Sequence, residues 1–226
     1  MATFEEQVEA LTSLAISGSS TPTQDELSQF LKDGVIDITN KWLSVRPQDR
    51  SIFVLKSGTQ ASQGYNTEGA EIVTVLREAG ADGDADDSTA WRKCREVNEK
   101  FRSDVLDSGS IHYATKEDPV YLIHENGKVN VYPVPDGTDD GYDVYFVNNS
   151  PQNASGVALA YSHSDLKYFP KSKIYLVAIY AAIRSIEAKL ASYTVDDEDI
   201  ELVQALQATL ATLKDDYMKG FNIGGG

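Results

Sequence analysis

Hydrophobic residues near the start of the chain recur every three or four positions, which is the period of an α-helix. This spacing predicts one amphipathic helix over residues 3–15 and a second helix from Thr23 until Pro47 stops it. Thr3 and Thr23 each have a glutamate three residues later, the spacing of a capping box. The chain is therefore predicted to open with two helices.

After residue 50 the pattern changes to short β-rich runs. Residues 51–56 and 71–76 are rich in branched apolar side chains and are predicted to be strands. Residues 79–88 consist mainly of Ala, Gly and Asp, a composition typical of a loop. Residues 89–105 return to helical spacing, so that we predict a middle helix there.

The next segment has the strongest β signal in the chain. Residues 120–124 and 128–132 are two apolar runs on either side of Asn126-Gly127, a dipeptide that favours a tight hairpin. Residues 142–147 follow two Asp-Gly turns and are predicted to be a third strand. Together the three strands are expected to form an antiparallel meander.

The last part of the chain is predicted to contain two helices. Residues 171–192 are apolar nearly all round between Ile174 and Ile183, which is typical of a helix at the centre of a fold. Residues 200–217 have apolar side chains along one face and follow an acidic run that suits a helix start.

These elements predict the α+β class, with a helical bundle interrupted by a β-rich insertion. We assign residues 1–50 and 166–218 to the bundle and residues 51–165 to the insertion, which contains the middle helix. Residues 219–226 are glycine-rich and are predicted to be a flexible C-terminal arm.

Composition limits the classes of function. The chain has 226 residues, 41% of them hydrophobic and 24% charged, which is ordinary for a folded protein. Its formal net charge is −15, which opposes binding to nucleic-acid phosphates. No apolar run approaches the roughly 20 residues that a membrane helix needs. We therefore expect neither a conventional nucleic-acid binder nor a membrane protein.

Candidate chemical groups are few and scattered. His112, His124 and His163 lack metal-ligand spacing, and we expect surface or cross-strand roles for them. Cys94 is the one cysteine of the chain and is expected to be a buried small side chain.

The acidic loop that begins at Asp82 starts like a calcium loop, but it has Asp87 at the required glycine position and Lys93 at the required glutamate position. A similar run beginning at Asp136 has Val147 at the glutamate position. We therefore predict no catalytic residue, no metal site and no cofactor, and interpret both acidic runs as turns, with a weak cation site as the alternative.

Tyrosine is abundant, with 12 residues, several of them in the β-rich half. Tyrosines pair across strands and are also enriched at interfaces. Ordinary strand packing and a binding surface are equally good interpretations of this distribution.

Two segments resemble virion structural proteins of tailed phages, particularly marine and cyanobacterial phages. Residues 118–135 (DPVYLIHENGKVNVYPVP) resemble a hairpin in those proteins, and residues 169–187 (FPKSKIYLVAIYAAIRSIE) resemble the helix that follows it. The order of elements is also similar to that of head-to-tail adaptors, or connectors, including the gatekeeper ring of short-tailed phages.

The resemblance implies a homo-oligomeric ring, commonly a dodecamer, located in the virion at the head–tail interface and made in the host cytoplasm. Its implied partners are the portal protein and a tail nozzle, stopper or other neck protein, with DNA passing through a lumen without specific binding. An acidic surface suits such a lumen, although the charge is also explained by solubility alone. The residues that we predict for the interfaces are Tyr217, Met218, Phe221, Ile223, Tyr121, Tyr132 and Tyr145.

A second hypothesis is a tail- or fibre-associated binding module that uses the Tyr-rich β half to contact a receptor or a glycan, because polar aromatic faces suit sugars. A hydrolase with an unrecognised catalytic centre is the third alternative.

Overall fold

The computed structural model of the chain describes residues 2–79, 91–135, 140–193 and 200–221. The chain divides into two compact units. The helical unit comprises residues 1–53 and 150–226, and the β unit comprises residues 54–149 and is inserted into it. Residues 51–53 and 150–165, predicted to lie in the insertion, belong to the helical unit.

Helices and strands are both present, which confirms the α+β class. The α-helices are α1 (Phe4–Thr12), α2 (Gln24–Val45), α3 (Arg102–Leu106), α4 (Ile174–Ser192) and α5 (Ile200–Lys219). The strands are β1 (Val54–Lys56), β2 (Tyr65–Asn66), β3 (Ile72–Glu78), β4 (Trp91–Lys93), β5 (Arg95–Glu96), β6 (Val120–His124), β7 (Lys128–Tyr132) and β8 (Tyr142–Val147).

Both predicted capping boxes are present. The Thr3 hydroxyl accepts a hydrogen bond from the Glu6 backbone N–H at 3.2 Å, and the Glu6 carboxylate accepts one from the Thr3 N–H at 2.9 Å. Thr23 and Glu26 repeat this arrangement at the start of α2. Each box satisfies two N–H groups that a helix start otherwise leaves unpaired.

Helix α4 is the central helix of the helical unit, as its apolar sequence predicted. It packs against α1, α2 and α5. Close approach on two sides depends on glycine. A Cβ at Gly34 of α2 would lie 2.9 Å from the Tyr180 ring, and a Cβ at Gly220 would overlap the Leu176 side chain. The helical unit is therefore assembled by fitting small residues against large ones.

The β unit contains two four-stranded sheets, with strand orders β1-β8-β3-β4 and β2-β7-β6-β5. Side chains from both sheets share one core, whose buried members are Val75, Cys94, Tyr121, Val129, Val131, Tyr142, Val144 and Phe146. A second cluster joins β6 and β7 to α3 through residues that include Val105, Val120 and Leu122.

The predicted hairpin at Asn126-Gly127 is confirmed, since β6 and β7 pair antiparallel across a short 3₁₀ turn. The predicted three-strand meander is wrong, because β8 lies in the other sheet between β1 and β3. Side chains of β8 are buried on both faces, so that the strand suits a central position, which the edge of a meander does not offer.

The middle helix predicted over residues 89–105 needs correction. Residues 91–93 and 95–96 are strands, and the α-helix covers only residues 102–106, after a 3₁₀ turn at residues 99–101. The chain passes from one sheet to the other at Cys94, whose N–H bonds to Val75 O at 2.8 Å. These pairings outweighed a weak helical period.

Polar side chains form hydrogen bonds inside the β unit. The fully buried Arg77 guanidinium donates to Asp140 at 2.9 Å, to Pro133 O at 3.0 Å and to Glu78 O at 2.6 Å. The buried Tyr142 hydroxyl accepts from the Tyr65 N–H at 3.2 Å and donates to Ser62 O at 3.0 Å. Polar bonds therefore connect segments that are far apart in sequence.

Candidate functional site

The predicted interface residues fall into three groups. Tyr121, Tyr132 and Tyr217 are buried within the chain, with 6%, 6% and 5% of their surface exposed. Met218 is 60% exposed, while Tyr145 and Phe221 are half-buried. Ile223 lies outside the described residues.

Tyr217 and Phe221 belong to an aromatic cluster at the end of α5. The Tyr217 ring lies 5.8 Å from the ring of Tyr180 and 5.1 Å from the ring of Phe221. Its hydroxyl donates to the Asp37 carboxylate at 2.5 Å, and Lys41 Nζ lies 2.7 Å from the same oxygen. Burial and then the bond to Asp37 raise the pKa of Tyr217, so that the hydroxyl stays a donor into alkaline conditions.

This cluster corrects the start of the predicted arm. Phe221 packs on Tyr217, and the carbonyl of Gly220 accepts a hydrogen bond from Lys173 Nζ at 3.1 Å. The chain is thus held against the helical unit through residue 221, and residues 222–226 lie outside the described ranges. Met218 is on the exposed side of the same helix end and is available to a partner.

A second group of side chains lies on the outer side of the sheet that contains β8. We call it the Trp91 face and define it by Lys56, Trp91, Asp143 and Tyr145. Lys56 Nζ lies 2.7 Å from Asp143 Oδ2, 5.9 Å from the centre of the Trp91 ring and 6.0 Å from the centre of the Tyr145 ring. The register explains this arrangement, because Lys56 is paired with Tyr145 and Asp143 is two residues earlier on β8.

The polar groups of the Trp91 face differ in exposure. The Lys56 side chain is 46% exposed and the Asp143 side chain is 3% exposed. The hydrogen bond to Asp143 raises the pKa of the Lys56 ammonium, so that it stays charged. Asp143 Oδ1 is buried and has no hydrogen-bond partner among the described residues.

Sequence reasoning found only Tyr145 of this face. Lys56 and Asp143 are 87 positions apart in the chain, and Trp91 was assigned to a helix. A strand predicted at residues 91–93 would have indicated which face of the sheet Trp91 lies on, because successive side chains of a strand point to opposite faces.

The remaining candidate groups have local structural roles. His124 Nδ1 lies 2.9 Å from Glu99 Oε1, and His163 Nδ1 accepts the Ala160 N–H at 3.1 Å. The His112 ring centre lies 4.4 Å from that of Phe101, with the two rings tilted by 38°. Burial raises the pKa of Cys94 to about 12, so that its thiol is protonated and a poor nucleophile at neutral pH.

Among the described residues, no three or more His, Cys, Asp or Glu side chains are grouped to hold a metal ion. The acidic loop that begins at Asp82 lies within residues 80–90, outside the described ranges, as do residues 136–139 of the second acidic run. In the part of the chain that is described, no helix combines the length and the hydropathy needed to span a membrane.

No protein-family model and no curated protein matches the chain.

Proposed function

We propose that the chain is a structural protein of a tailed-phage virion, a ring-forming head-to-tail adaptor that joins the portal to the tail. The observation that supports this most is the order of the elements. Helices α1 and α2 precede an inserted β unit, and α4 and α5 follow it. The two segments that resemble phage proteins fold as the β6–β7 hairpin and as α4.

The charge of the chain is compatible with this role. A ring of such chains carries a formal charge of −15 per copy, which repels DNA phosphates and lets DNA slide through a lumen. The portal and a nozzle, stopper or other neck protein are the proposed partners above and below the ring.

Met218 is the proposed contact with a neighbouring copy or with the portal. It is 60% exposed, and the aromatic cluster of Tyr217 and Phe221 fixes the helix end that presents it. Because this backbone is already ordered, little conformational entropy is lost when Met218 is buried in an interface.

The test is the native mass of the assembly, measured by mass photometry and by electron microscopy of the protein alone and mixed with a portal from the same genome. We expect a closed ring, formed alone or on the portal. A stable monomer or trimer that ignores the portal would overturn the adaptor proposal.

A pair of substitutions tests the contact itself. Met218→Glu should abolish assembly, while Val45→Glu serves as the matched control because Val45 is also exposed and at a helix end. Rings that form equally well with Met218→Glu would show that the interface is elsewhere.

A second candidate function is a tail- or fibre-associated binding module. The Trp91 face favours it, because Trp91 and Tyr145 are presented on a regular sheet beside an exposed ammonium. Solid-phase or cell-binding assays with the whole protein would distinguish this function from that of an adaptor.

A further inference from the structure

The Trp91 face has two aromatic rings arranged around one ammonium group. Lys56 Nζ is 5.9 Å from one ring centre and 6.0 Å from the other. Both rings are half-buried, so that each keeps part of its surface accessible. Since β1, β4 and β8 belong to one hydrogen-bonded sheet, the spacing of the rings is set by regular backbone.

The same face contains an unsatisfied acceptor. Asp143 is 2% exposed, its Oδ2 is bonded to Lys56, and its Oδ1 has no partner among the described residues. Buried carboxylate oxygens are nearly always hydrogen-bonded, and an unpaired one destabilises the fold. Lys56 Nζ lies 2.7 Å from the other oxygen, Oδ2, at the end of a side chain with four rotatable bonds.

We propose that the Trp91 face binds a neutral saccharide. The proposal rests on the second candidate function and names its ligand class. In the proposed complex the Lys56 side chain turns outward and donates to a hydroxyl, which lets Asp143 Oδ1 accept a hydrogen bond from another hydroxyl. The C–H faces of pyranose rings pack on Trp91 and Tyr145.

The chemistry of the face matches a sugar in three respects. Aromatic rings provide flat apolar area with little loss of conformational freedom. A charged donor and a charged acceptor side by side match hydroxyl groups, which both donate and accept. The regular sheet holds these groups at fixed spacing before the ligand arrives.

Charge selects neutral sugars over anionic ones. Lys56 and Asp143 cancel each other within the face. Over positions 54–149 as a whole, acidic residues outnumber basic residues by eighteen to nine. Sialylated or sulfated glycans would therefore be repelled by the β unit, whereas uncharged hexose or N-acetylhexosamine chains would not.

The experiment applies the whole protein to an array of neutral hexose and N-acetylhexosamine oligosaccharides next to sialylated and sulfated ones, followed by calorimetry with the best neutral probe. We expect binding to neutral probes only. Trp91→Ala and Tyr145→Ala should each weaken it by about tenfold or more, the size of effect seen when a contacting aromatic anchor is removed.

Three further variants keep the test decisive if an alanine variant unfolds. Trp91→Phe and Tyr145→Phe retain a ring and should lose less affinity than the alanine variants. Tyr113→Ala removes a tyrosine of the β unit that is 40% exposed and belongs to none of these contacts, so that it should bind normally. Circular dichroism and thermal unfolding verify the fold of each variant.

The outcomes distinguish failure of the saccharide proposal from failure of the binding-module function on which it rests. Array binding that survives both alanine substitutions, or that prefers anionic glycans, overturns the saccharide proposal. Binding to host cells that persists after periodate oxidation of their sugars also overturns it but leaves the binding-module function intact. Absence of binding to both array and cells overturns both.

Discussion

The two units stabilise their cores in different ways. In the helical unit, glycines let helices approach bulky side chains, as at Gly34 against Tyr180 and Gly220 against Leu176. In the β unit, buried polar groups such as Arg77 and Tyr142 bond to backbone and side chains far away in sequence. In the helical unit, substitutions are therefore limited by steric fit between helices. In the β unit, they are limited by the need to keep buried polar groups hydrogen-bonded.

Removal of the Asp140 carboxylate should lower the free energy of unfolding more than any other substitution considered below. Asp140→Ala leaves the Arg77 guanidinium charged and fully buried without its carboxylate, which costs about 3–5 kcal/mol. Urea unfolding measures this loss. The matched control is Asp118→Ala, which breaks the exposed pair with Arg95 and should cost less than about 1 kcal/mol. Equal losses in the two variants would refute a special role for the buried pair.

Tyr142→Phe should cause the next largest loss in the free energy of unfolding. It removes a hydroxyl that accepts from the Tyr65 N–H and donates to Ser62 O, so that both backbone groups lose a partner. We expect a loss of about 2 kcal/mol in the free energy of unfolding. Amide hydrogen exchange at Tyr65 should accelerate in parallel, and an unchanged exchange rate would contradict the assignment of this bond.

Gly34→Ala should destabilise the helical unit by about 1 kcal/mol. The added Cβ meets the Tyr180 ring at 2.9 Å, and this overpacking outweighs the better helix propensity of alanine. Thermal unfolding of Gly34→Ala alone and combined with Tyr180→Ala measures the coupling between the two sites. Gly18→Ala is the control, because a Cβ there meets nothing within 4 Å. A raised melting temperature for Gly34→Ala would show that the helices are not in tight contact.

Tyr217→Phe should cause the smallest loss in the free energy of unfolding. It is the direct counterpart of Tyr142→Phe, because both substitutions remove one tyrosine hydroxyl. The partner of the Tyr217 hydroxyl is Asp37, whose side chain is 32% exposed and bonded to Lys41 as well. Water and Lys41 can satisfy that carboxylate, so that we expect a loss below about 1 kcal/mol. A loss as large as that of Tyr142→Phe would contradict the distinction between the units.

The sequence predicted the helical unit better than the β unit, and the reason is the range of the interactions. Capping boxes at Thr3 and Thr23 and the apolar run of α4 are local signals, which read directly as helices. The position of β8 depends on pairing with β1, more than 80 residues earlier, and nothing local encodes such a partner. The Asn126-Gly127 hairpin was the exception, because its turn chemistry is local.

Candidate site residues followed the same rule. Met218 stands at the end of a predicted helix and is exposed, and its role at an interface stays a prediction. The Trp91 face was missed except for Tyr145, because three strands distant in sequence bring its four side chains together. Burial of Tyr121 and Tyr132 was likewise set by the two-sheet core and its neighbouring cluster.

The passage of the chain from one sheet to the other at Cys94 has a mechanical consequence. Residues 91–93 form the edge of one sheet and residues 95–96 the edge of the other, with Arg95 N–H bonded to Pro119 O and Cys94 N–H to Val75 O. A force or a fluctuation that detaches this six-residue ribbon strips an edge from both sheets in one event. The edges of the two sheets are therefore connected through a single residue, Cys94, so that neither can be lost without disturbing the other.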